Sequence, residues 1–97
     1  MAERLAIRAL TFIRMQITLK YFASIRETMG SSGHAYETQA PTLGQLRDEL
    51  VQGGGPATQA LGRDRVLRMA LNQTLCDEGA ALTPGAEVAF FPPVTGG

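Results

Sequence analysis

The last eight residues of the chain, residues 90–97, read Phe-Phe-Pro-Pro-Val-Thr-Gly-Gly and combine a stiff base with a very small tip. Pro92 and Pro93 have no backbone N–H and favour a polyproline II path, so they must end a preceding strand. At about 3.1 Å per residue, the chain from Pro92 onward could reach roughly 19 Å from the body of the domain. Gly96 and Gly97 lack a Cβ and can pass where any other residue would clash. This composition suits a terminal carboxylate that is delivered into a narrow site on another protein.

The rest of the chain offers few side chains with the spacing of an active site. Cys76 and His34 are the single cysteine and the single histidine, and neither stands in a motif that supplies a catalytic partner. Free cysteine is among the most buried residue types, so we expect Cys76 to fill the interior. We expect His34, which follows a Ser-Gly turn, to be exposed and non-catalytic. Since no ligand spacing or carboxylate pair stands out, we predict no metal site.

Composition restricts the classes of protein to be considered. The chain has 97 residues, of which 44% are hydrophobic and 19% are charged, as expected for one globular domain. Nine basic and nine acidic residues give a formal net charge of zero, which disfavours nucleic acid and anionic membranes as partners. No apolar run is long enough to span a membrane, and a lone cysteine fits a reducing compartment. We therefore expect a cytoplasmic protein.

Residues 1–14 differ from the remainder. Arg4, Arg8, Thr11 and Arg14 recur at helical spacing opposite apolar residues, which predicts a short amphipathic helix. The segment lacks the apolar stretch and the cleavage site of a signal peptide. A second methionine, Met15, then begins a strand-like run. We interpret residues 1–14 as an N-terminal extension or leader, and the alternative is an arm that binds a partner or forms oligomers.

The first elements after Met15 are two strands with a short helix between them. Residues 15–22 alternate between apolar and polar, which is the period of a half-buried strand. Residues 23–29 predict a helix that Gly30 ends. Residues 34–39 alternate weakly and follow a turn, so we expect a second strand, antiparallel to the first.

The clearest helix covers residues 42–52. Thr42 and Gln45 have the spacing of a capping box, in which each side chain satisfies a backbone N–H of the first turn. One side carries the leucines that must rest on a sheet: Leu43, Leu46 and Leu50. The other side is predicted to face water: Gln45, Asp48, Glu49 and Gln52. Glycines at 53–55 end the helix, and since no Gly-Lys-Ser/Thr follows, we do not interpret them as a phosphate-binding loop.

The last third of the chain predicts further strands. A short helical connection over residues 56–65 precedes a strand at 66–72, a minor strand, and a final strand at 87–91. Strands with one helix across them indicate an α+β roll. The first and last strands are the most apolar, so we place them together as a parallel pair in the middle of the sheet. The predicted core comprises six residues: Ile17, Leu19, Leu46, Leu50, Leu71 and Val88.

Three segments together carry a family resemblance: EVAFFPPVTGG at the end, MALNQ upstream of it, and ITLKYFASIRE near the start. In these segments the chain resembles the sulfur-carrier small subunits of molybdopterin synthase, which are ubiquitin-like proteins. The resemblance covers residues 15–97. It implies a β-grasp domain over residues 15–91, with a mixed four- or five-stranded sheet and one main helix, and a projecting tail at residues 92–97.

The resemblance also implies a function. An E1-like enzyme is expected to adenylate the Gly97 carboxylate with ATP, and a sulfur donor then converts the adenylate into a thiocarboxylate. Gly97 is the implied carrier and Gly96 lets the tip enter the large subunit, where sulfur is passed to a pyranopterin precursor. The chain is then not itself an enzyme, binds no cofactor, and joins a heterotetramer whose catalytic groups lie on the large subunit. The implied partner-binding residues precede the glycines: Phe90, Phe91, Pro92, Pro93, Val94 and Thr95.

Two other interpretations use the same tail. The chain could carry sulfur for the thiazole of thiamine or for a tungsten cofactor. It could also be a conjugated protein modifier or a β-grasp interaction module. Lys20 is the single lysine, so chains of this protein linked through lysine would have one acceptor.

Overall fold

The computed structural model describes residues 14–93. The expected N-terminal extension, except Arg14, and the last four residues of the tail lie outside the described residues. Predictions made for those segments, including the roles of Val94, Thr95, Gly96 and Gly97, therefore stay predictions.

The described residues form one five-stranded sheet with three helices. The strands are β1 (Met15–Tyr21), β2 (Gly33–Thr38), β3 (Arg68–Leu71), β4 (Thr74–Cys76) and β5 (Glu87–Phe91). The helices are α1 (Ala23–Met29), α2 (Leu43–Gln52) and α3 (Pro56–Leu61). The strand order is β2-β1-β5-β3-β4, so the final strand lies in the middle of the sheet. This arrangement confirms the predicted α+β class with a mixed sheet.

The strand pairings also agree with the sequence. β1 and β2 are antiparallel neighbours, with Ile17 opposite Tyr36. β1 and β5 are parallel neighbours, with Leu19 opposite Val88. β3 pairs antiparallel with β5 on the other side. The strands that are most apolar are thus placed at the centre, where both edges are hydrogen-bonded.

The start of α2 and the end of α1 carry the capping residues that the sequence predicts. The Thr42 hydroxyl oxygen accepts a hydrogen bond from the Gln45 N–H at 3.3 Å, which is the first half of the predicted capping box. The second half differs, because the Gln45 side-chain oxygen accepts from the Thr42 hydroxyl at 3.2 Å. Gly30 ends α1 with a φ of 75°, which is the left-handed conformation that favours glycine.

The core lies between one face of the sheet and the helices. Five of the six residues predicted for it are buried: Ile17, Leu19, Leu46, Leu50 and Val88. Leu71 is only half-buried and packs at the margin of this cluster, so its predicted full burial was wrong. The reason is its position as the last residue of β3, beside the turn to β4.

Glu49 does not face water as predicted. It is half-buried, and its carboxylate accepts hydrogen bonds from the Tyr36 hydroxyl at 2.6 Å and the Thr38 hydroxyl at 2.9 Å. Both donors belong to β2, an edge strand. The carboxylate therefore joins α2 to the edge of the sheet, a contact that helical periodicity alone does not reveal.

Leu46→Ala should destabilise the domain by about 2–5 kcal/mol, because it removes a fully buried side chain and leaves a cavity. Leu75→Ala is a matched control, since Leu75 is 58% exposed and should cost within about 0.5 kcal/mol. Urea unfolding of both variants measures the difference. Equal losses of stability would contradict the packing of α2 on the sheet.

Candidate functional site

The end of β5 forms the base of the C-terminal tail. Phe90 and Phe91 are successive residues of β5 and point to opposite faces of the sheet. Phe90 is 0% exposed, and its ring stacks on Tyr21 with ring centres 6.3 Å apart. Its side chain therefore anchors the strand from the core side and is not part of the exposed surface of the chain. Partner contact at this position stays a prediction.

Phe22, which is exposed, and Phe91, which is half-buried, form an aromatic pair beside the base of the tail. The rings meet edge to face, with centres 6.5 Å apart and an interplanar angle of 86°. Phe22 is 47% exposed, although its backbone N–H donates to the Phe90 carbonyl at 3.1 Å. This bond extends the β1–β5 contact to the last residues of β5. The aromatic pair is thus rigidly held and still open to a partner.

The strand ends at Phe91, as the double proline predicts. Phe91, Pro92 and Pro93 are half-buried, and we call these three residues the tail root. Pro92 lines a small cleft of about 100 Å³ between α1 and the segment before β3. The other lining residues come from both walls: Ser24, Ile25, Thr28, Ala60, Arg65, Val66 and Leu67. The chain therefore leaves the sheet along a defined path.

Asn72 fixes the opposite end of β5. Its N–H donates to the Glu87 carbonyl at 2.8 Å, and its side-chain oxygen accepts from the Glu87 N–H at 2.9 Å. Asn72 and Gln73 form the two-residue turn between β3 and β4, with φ values of 50° and 70°. Two positive φ values are typical of a type I′ turn, which asparagine tolerates better than most residues. Sequence reasoning did not assign Asn72 this role, although an asparagine between two apolar runs was a usable signal.

The sheet surface away from the core is the open face. Lys20, Ala89, Ala70 and Leu75 lie in one row across four strands, as the strand registers show. Leu75 is 58% exposed, whereas both alanines are buried. Lys20 forms an ion pair with Glu87 at 3.4 Å. The row thus offers a mixed apolar and charged surface on the same side of the sheet as Phe91.

Arg47 is the residue of α2 that sequence reasoning missed. It is 4% exposed, and its guanidinium donates to the carbonyls of Leu61 at 2.6 Å, Gly62 at 2.7 Å and Arg65 at 2.7 Å. A further bond reaches the Glu78 carboxylate at 3.1 Å. The signal was available, because Arg47 lies one helical turn after Leu43 on the buried stripe. These hydrogen bonds fix the position of residues 61–65, which lead into one wall of the cleft that Pro92 lines, here called the tail cleft.

Arg63 extends this network on the surface. It donates to the Asp48 carboxylate at 2.9 Å and to the Glu78 carboxylate at 2.6 Å. These hydrogen bonds hold the pKa of Asp48 and of Glu78 below their ordinary values. Both carboxylates are therefore ionised at neutral pH and already matched by an arginine.

Cys76 departs from the expectation of full burial. It is half-buried, and its thiol donates to the Thr74 carbonyl at 3.2 Å. Because β4 is a three-residue strand at the sheet edge, nothing in the sheet covers its outer side. The position shows no partner that would activate the thiol among the described residues.

His34 is exposed, as expected. Its Nδ1 lies 2.9 Å from the Ala35 carbonyl oxygen, so Nδ1 carries the proton and Nε2 accepts from the Tyr21 hydroxyl at 3.1 Å. Within residues 14–93, no three histidine, cysteine or acidic side chains lie together as metal ligands would. No helix in this part of the chain has the length and hydrophobicity needed to cross a membrane.

A family model decides the relationship of the chain. The model of the ThiS family matches residues 19–97. The chain belongs to the ThiS family. This match includes β1 from Leu19, the whole helical layer and the entire C-terminal tail, and it confirms the relationship indicated by the sequence motifs.

Individual proteins that are similar to this chain extend the comparison. The chain is 41% identical over 81 residues to the molybdopterin synthase sulfur carrier subunit of Escherichia coli K12, covering 84% of this chain and 99% of that protein. It is similar to SAMP1 from Haloferax volcanii, with a TM-score of 0.66, 31% identity, and coverage of 84% and 99% of the two chains. It also resembles a chain of the complex of subunits 1 and 2 of the molybdopterin-converting factor from Helicobacter pylori, with a TM-score of 0.58, 30% identity, and coverage of 86% and 100%. The ubiquitin-like β-grasp fold is thereby confirmed.

The two tyrosines predict a pH dependence. Burial raises the pKa of Tyr21 to about 12, and burial together with the bond to Glu49 raises that of Tyr36 to about 12. Because these values exceed the ordinary pKa of about 10, the folded protein holds the two phenolic protons more tightly than the unfolded chain does. Their contribution to the free energy of unfolding is therefore complete below pH 10 and is lost as the pH rises toward 12. The chain has two tyrosines and no tryptophan, so phenolate absorbance follows both groups directly. Tyr36→Phe isolates Tyr21, and a phenol that titrates near pH 10 in the folded protein would contradict the burial.

Proposed function

We propose that this chain is the sulfur carrier of a molybdopterin synthase. The observation that carries the proposal is the joining of the Phe-Pro-Pro-Val-Thr-Gly-Gly tail to a central, fully paired strand. The similarity to the Escherichia coli sulfur carrier subunit supports it, since that protein is matched along 99% of its length. The presence of a homologous chain in the Helicobacter pylori complex of subunits 1 and 2 supports a large subunit as the partner.

The proposed chemistry begins at the Gly97 carboxylate. A carboxylate is a poor electrophile, so an E1-like enzyme first joins it to AMP, using ATP and releasing pyrophosphate. Hydrosulfide released by a sulfur donor then attacks the acyl carbon and AMP leaves, which gives a thiocarboxylate. Gly97 is thus a covalent carrier, and the sulfur is passed on to the pyranopterin precursor.

The chain itself supplies positioning and not acid–base catalysis in this proposal. The side chains that line the cleft with Pro92 are aliphatic, hydroxyl-bearing or cationic and include no carboxylate, and the carboxylates of Asp48 and Glu78 are already paired with Arg63. A tail held by its base loses less entropy when a partner grips it. The catalytic groups, by this proposal, lie on the large subunit of a cytoplasmic heterotetramer, and the chain binds no cofactor of its own.

The exposed surface around the tail root fits this docking. Phe22 and Phe91 place an ordered aromatic pair next to the exit of the tail, and Leu75 adds an apolar side chain on the open face. Aromatic anchors held in place before binding contribute most of the affinity in many interfaces. We expect the large subunit to cover the aromatic pair while Pro92 and Pro93 direct the tail into its site.

Deletion of Gly97 should abolish sulfur transfer and leave the fold intact. The deletion moves the carboxylate back by about 3 Å in an extended chain, and a 1 Å misplacement can already cost about a hundredfold in rate. Intact mass after co-expression with the activating enzyme measures thiocarboxylate formation as a gain of about 16 Da, the exchange of one oxygen for sulfur. Dithiolene formation by the large subunit measures the transfer.

Gly96→Phe tests the narrowness of the receiving site and keeps the terminal residue. A bulky residue should block adenylation, sulfur transfer or both, whereas the free energy of unfolding should change by no more than about 0.5 kcal/mol. A Gly97 deletion that still accumulates thiocarboxylate and still forms dithiolene at the normal rate would refute the carrier mechanism. A large loss of melting temperature in either variant would show that the tail is structural.

Phe91→Ala should weaken binding to the large subunit by at least about tenfold, because it removes half of the aromatic pair. Phe91→Leu retains apolar area and should recover part of the affinity. Calorimetric titration with the large subunit measures both variants. Wild-type affinity in Phe91→Ala would exclude the aromatic pair from the interface.

A protein modifier is the second candidate, and the similarity to SAMP1, whose relatives are called small archaeal modifier proteins, favours it. A lysine amine of a target would then attack the acyl carbon of the same Gly97 adenylate, which forms an isopeptide bond and releases AMP. Gel analysis for adducts that depend on Gly97 distinguishes this activity from sulfur transfer. A carrier for the thiazole of thiamine is distinguished by its failure to bind a molybdopterin synthase large subunit.

A further inference from the structure

Two exposed arginines flank the tail root. Arg68 is the cross-strand partner of Phe91, at the point where β5 ends. Arg65 lines the same cleft as Pro92. The first residues of the tail therefore leave the domain beside two exposed arginines, which we call the basic pair.

The basic pair has no acidic partner among residues 14–93. The ion pairs in this part of the chain engage other cations: Lys20 with Glu87, Arg47 with Glu78, and Arg63 with Asp48 and Glu78. Asp77 lines the same groove as Arg68, but its carboxylate accepts from the Gly79 N–H at 2.9 Å and forms no ion pair with Arg68. Arg47 and Arg63 are thus paired with carboxylates, whereas Arg65 and Arg68 form no ion pair in this part of the chain.

Exposed apolar side chains lie beside the basic pair, and Asp77 and Glu78 also line the groove that includes Arg68. Val66 is 75% exposed between the two arginines in sequence. Leu67 lines both the tail cleft and a larger open groove of about 440 Å³ that includes Arg68 and Leu75. Arginine beside exposed aliphatic side chains is typical of protein interfaces, where a guanidinium binds a carboxylate in a bidentate geometry. A net charge of zero means that such attraction must come from a local patch and not from the whole molecule.

The backbone beneath the basic pair is fixed. Arg47 holds the carbonyls of Leu61, Gly62 and Arg65 from within the domain, so the segment that presents Arg65 has a set position. Arg68 belongs to β3, which is hydrogen-bonded on both sides. A partner therefore meets two charges whose backbone positions are ordered before binding, which lowers the entropic cost of recognition.

We propose that Arg65 and Arg68 bind carboxylates on the large subunit, at the rim of the site that receives the tail. This proposal rests on the proposed function and adds a specificity element to it. A protein surface is the ligand that the geometry favours, because any protein that receives the tail must pass the tail root. The alternative ligand for the two arginines is the phosphate of an adenylate on Gly97. It is less favoured, because it would be attached five residues beyond Pro92. Complementary charges at a rim raise the association rate and weaken with salt.

The experiment is a titration of the full-length chain against the large subunit at low and at high salt. The Arg65→Glu, Arg68→Glu double variant should bind at least about tenfold more weakly at low salt, mainly through slower association, and the difference should shrink at high salt. The Arg65→Lys, Arg68→Lys double variant keeps both charges but loses the bidentate geometry, so it should bind more tightly than the Glu double variant and less tightly than the wild type. All side chains concerned are exposed, so melting temperatures should agree within about 3 °C.

Arg14→Glu is the control for a general charge effect. Arg14 is exposed and precedes β1, whereas the tail root lies beyond the opposite end of that strand, so its reversal should change the affinity less than about twofold. Wild-type affinity in the Glu double variant, or an equal loss of affinity in Arg14→Glu, would refute the proposed role of the basic pair. Either result would leave the proposed carrier function intact. Failure of the wild-type chain to bind any large subunit would overturn the proposed function and the basic pair together.

Discussion

The pairing of β5 with β1 on one edge and β3 on the other is the constraint on which the rest of the structure depends. A C-terminal segment is ordinarily the part of a chain that is held least. Here the last strand lies at the centre of the sheet, and its Phe90 side chain is fully buried. The parallel register with β1 requires the chain to cross the domain between them, which α2 does. The residues just before the tail are consequently among the most constrained in the domain.

A second, polar constraint supports the same end of the molecule. The segment from Leu61 to Arg65 includes no strand and could not hold its own position through backbone pairing. Arg47 satisfies three of its carbonyls from within the domain, and Glu78 balances the buried charge. Burial of a guanidinium is costly unless its donors are satisfied, so this arrangement indicates that a defined position of the segment matters. The segment forms the wall of the cleft along which Pro92 leaves.

Sequence patterns predicted most of the fold because the decisive signals were local. Period-two alternation placed β1, the Thr42 cap placed α2, and the double proline ended β5 at Phe91. The predictions that failed concern contacts between elements that are distant in sequence. The burial of Arg47, the bonds of Glu49 to β2 and the half-burial of Cys76 each depend on which element lies alongside, and a single stretch of sequence does not contain that information. For the site, composition indicated a stiff tail with a small tip. The position of Phe22 beside Phe91 could not be predicted in this way, because it depends on the β1–β5 register.

The two phenylalanines before the prolines show how one strand meets two demands. Sequence reasoning treated them alike, as residues for a partner, but the period of a strand places successive side chains on opposite faces. Phe90 stacks on Tyr21 in the core, and Phe91 meets Phe22 on the exposed side. Burial of the first gives the second a fixed position without any contribution from a partner. Because Phe91 is followed at once by two residues of restricted φ, this positional order continues into the tail root.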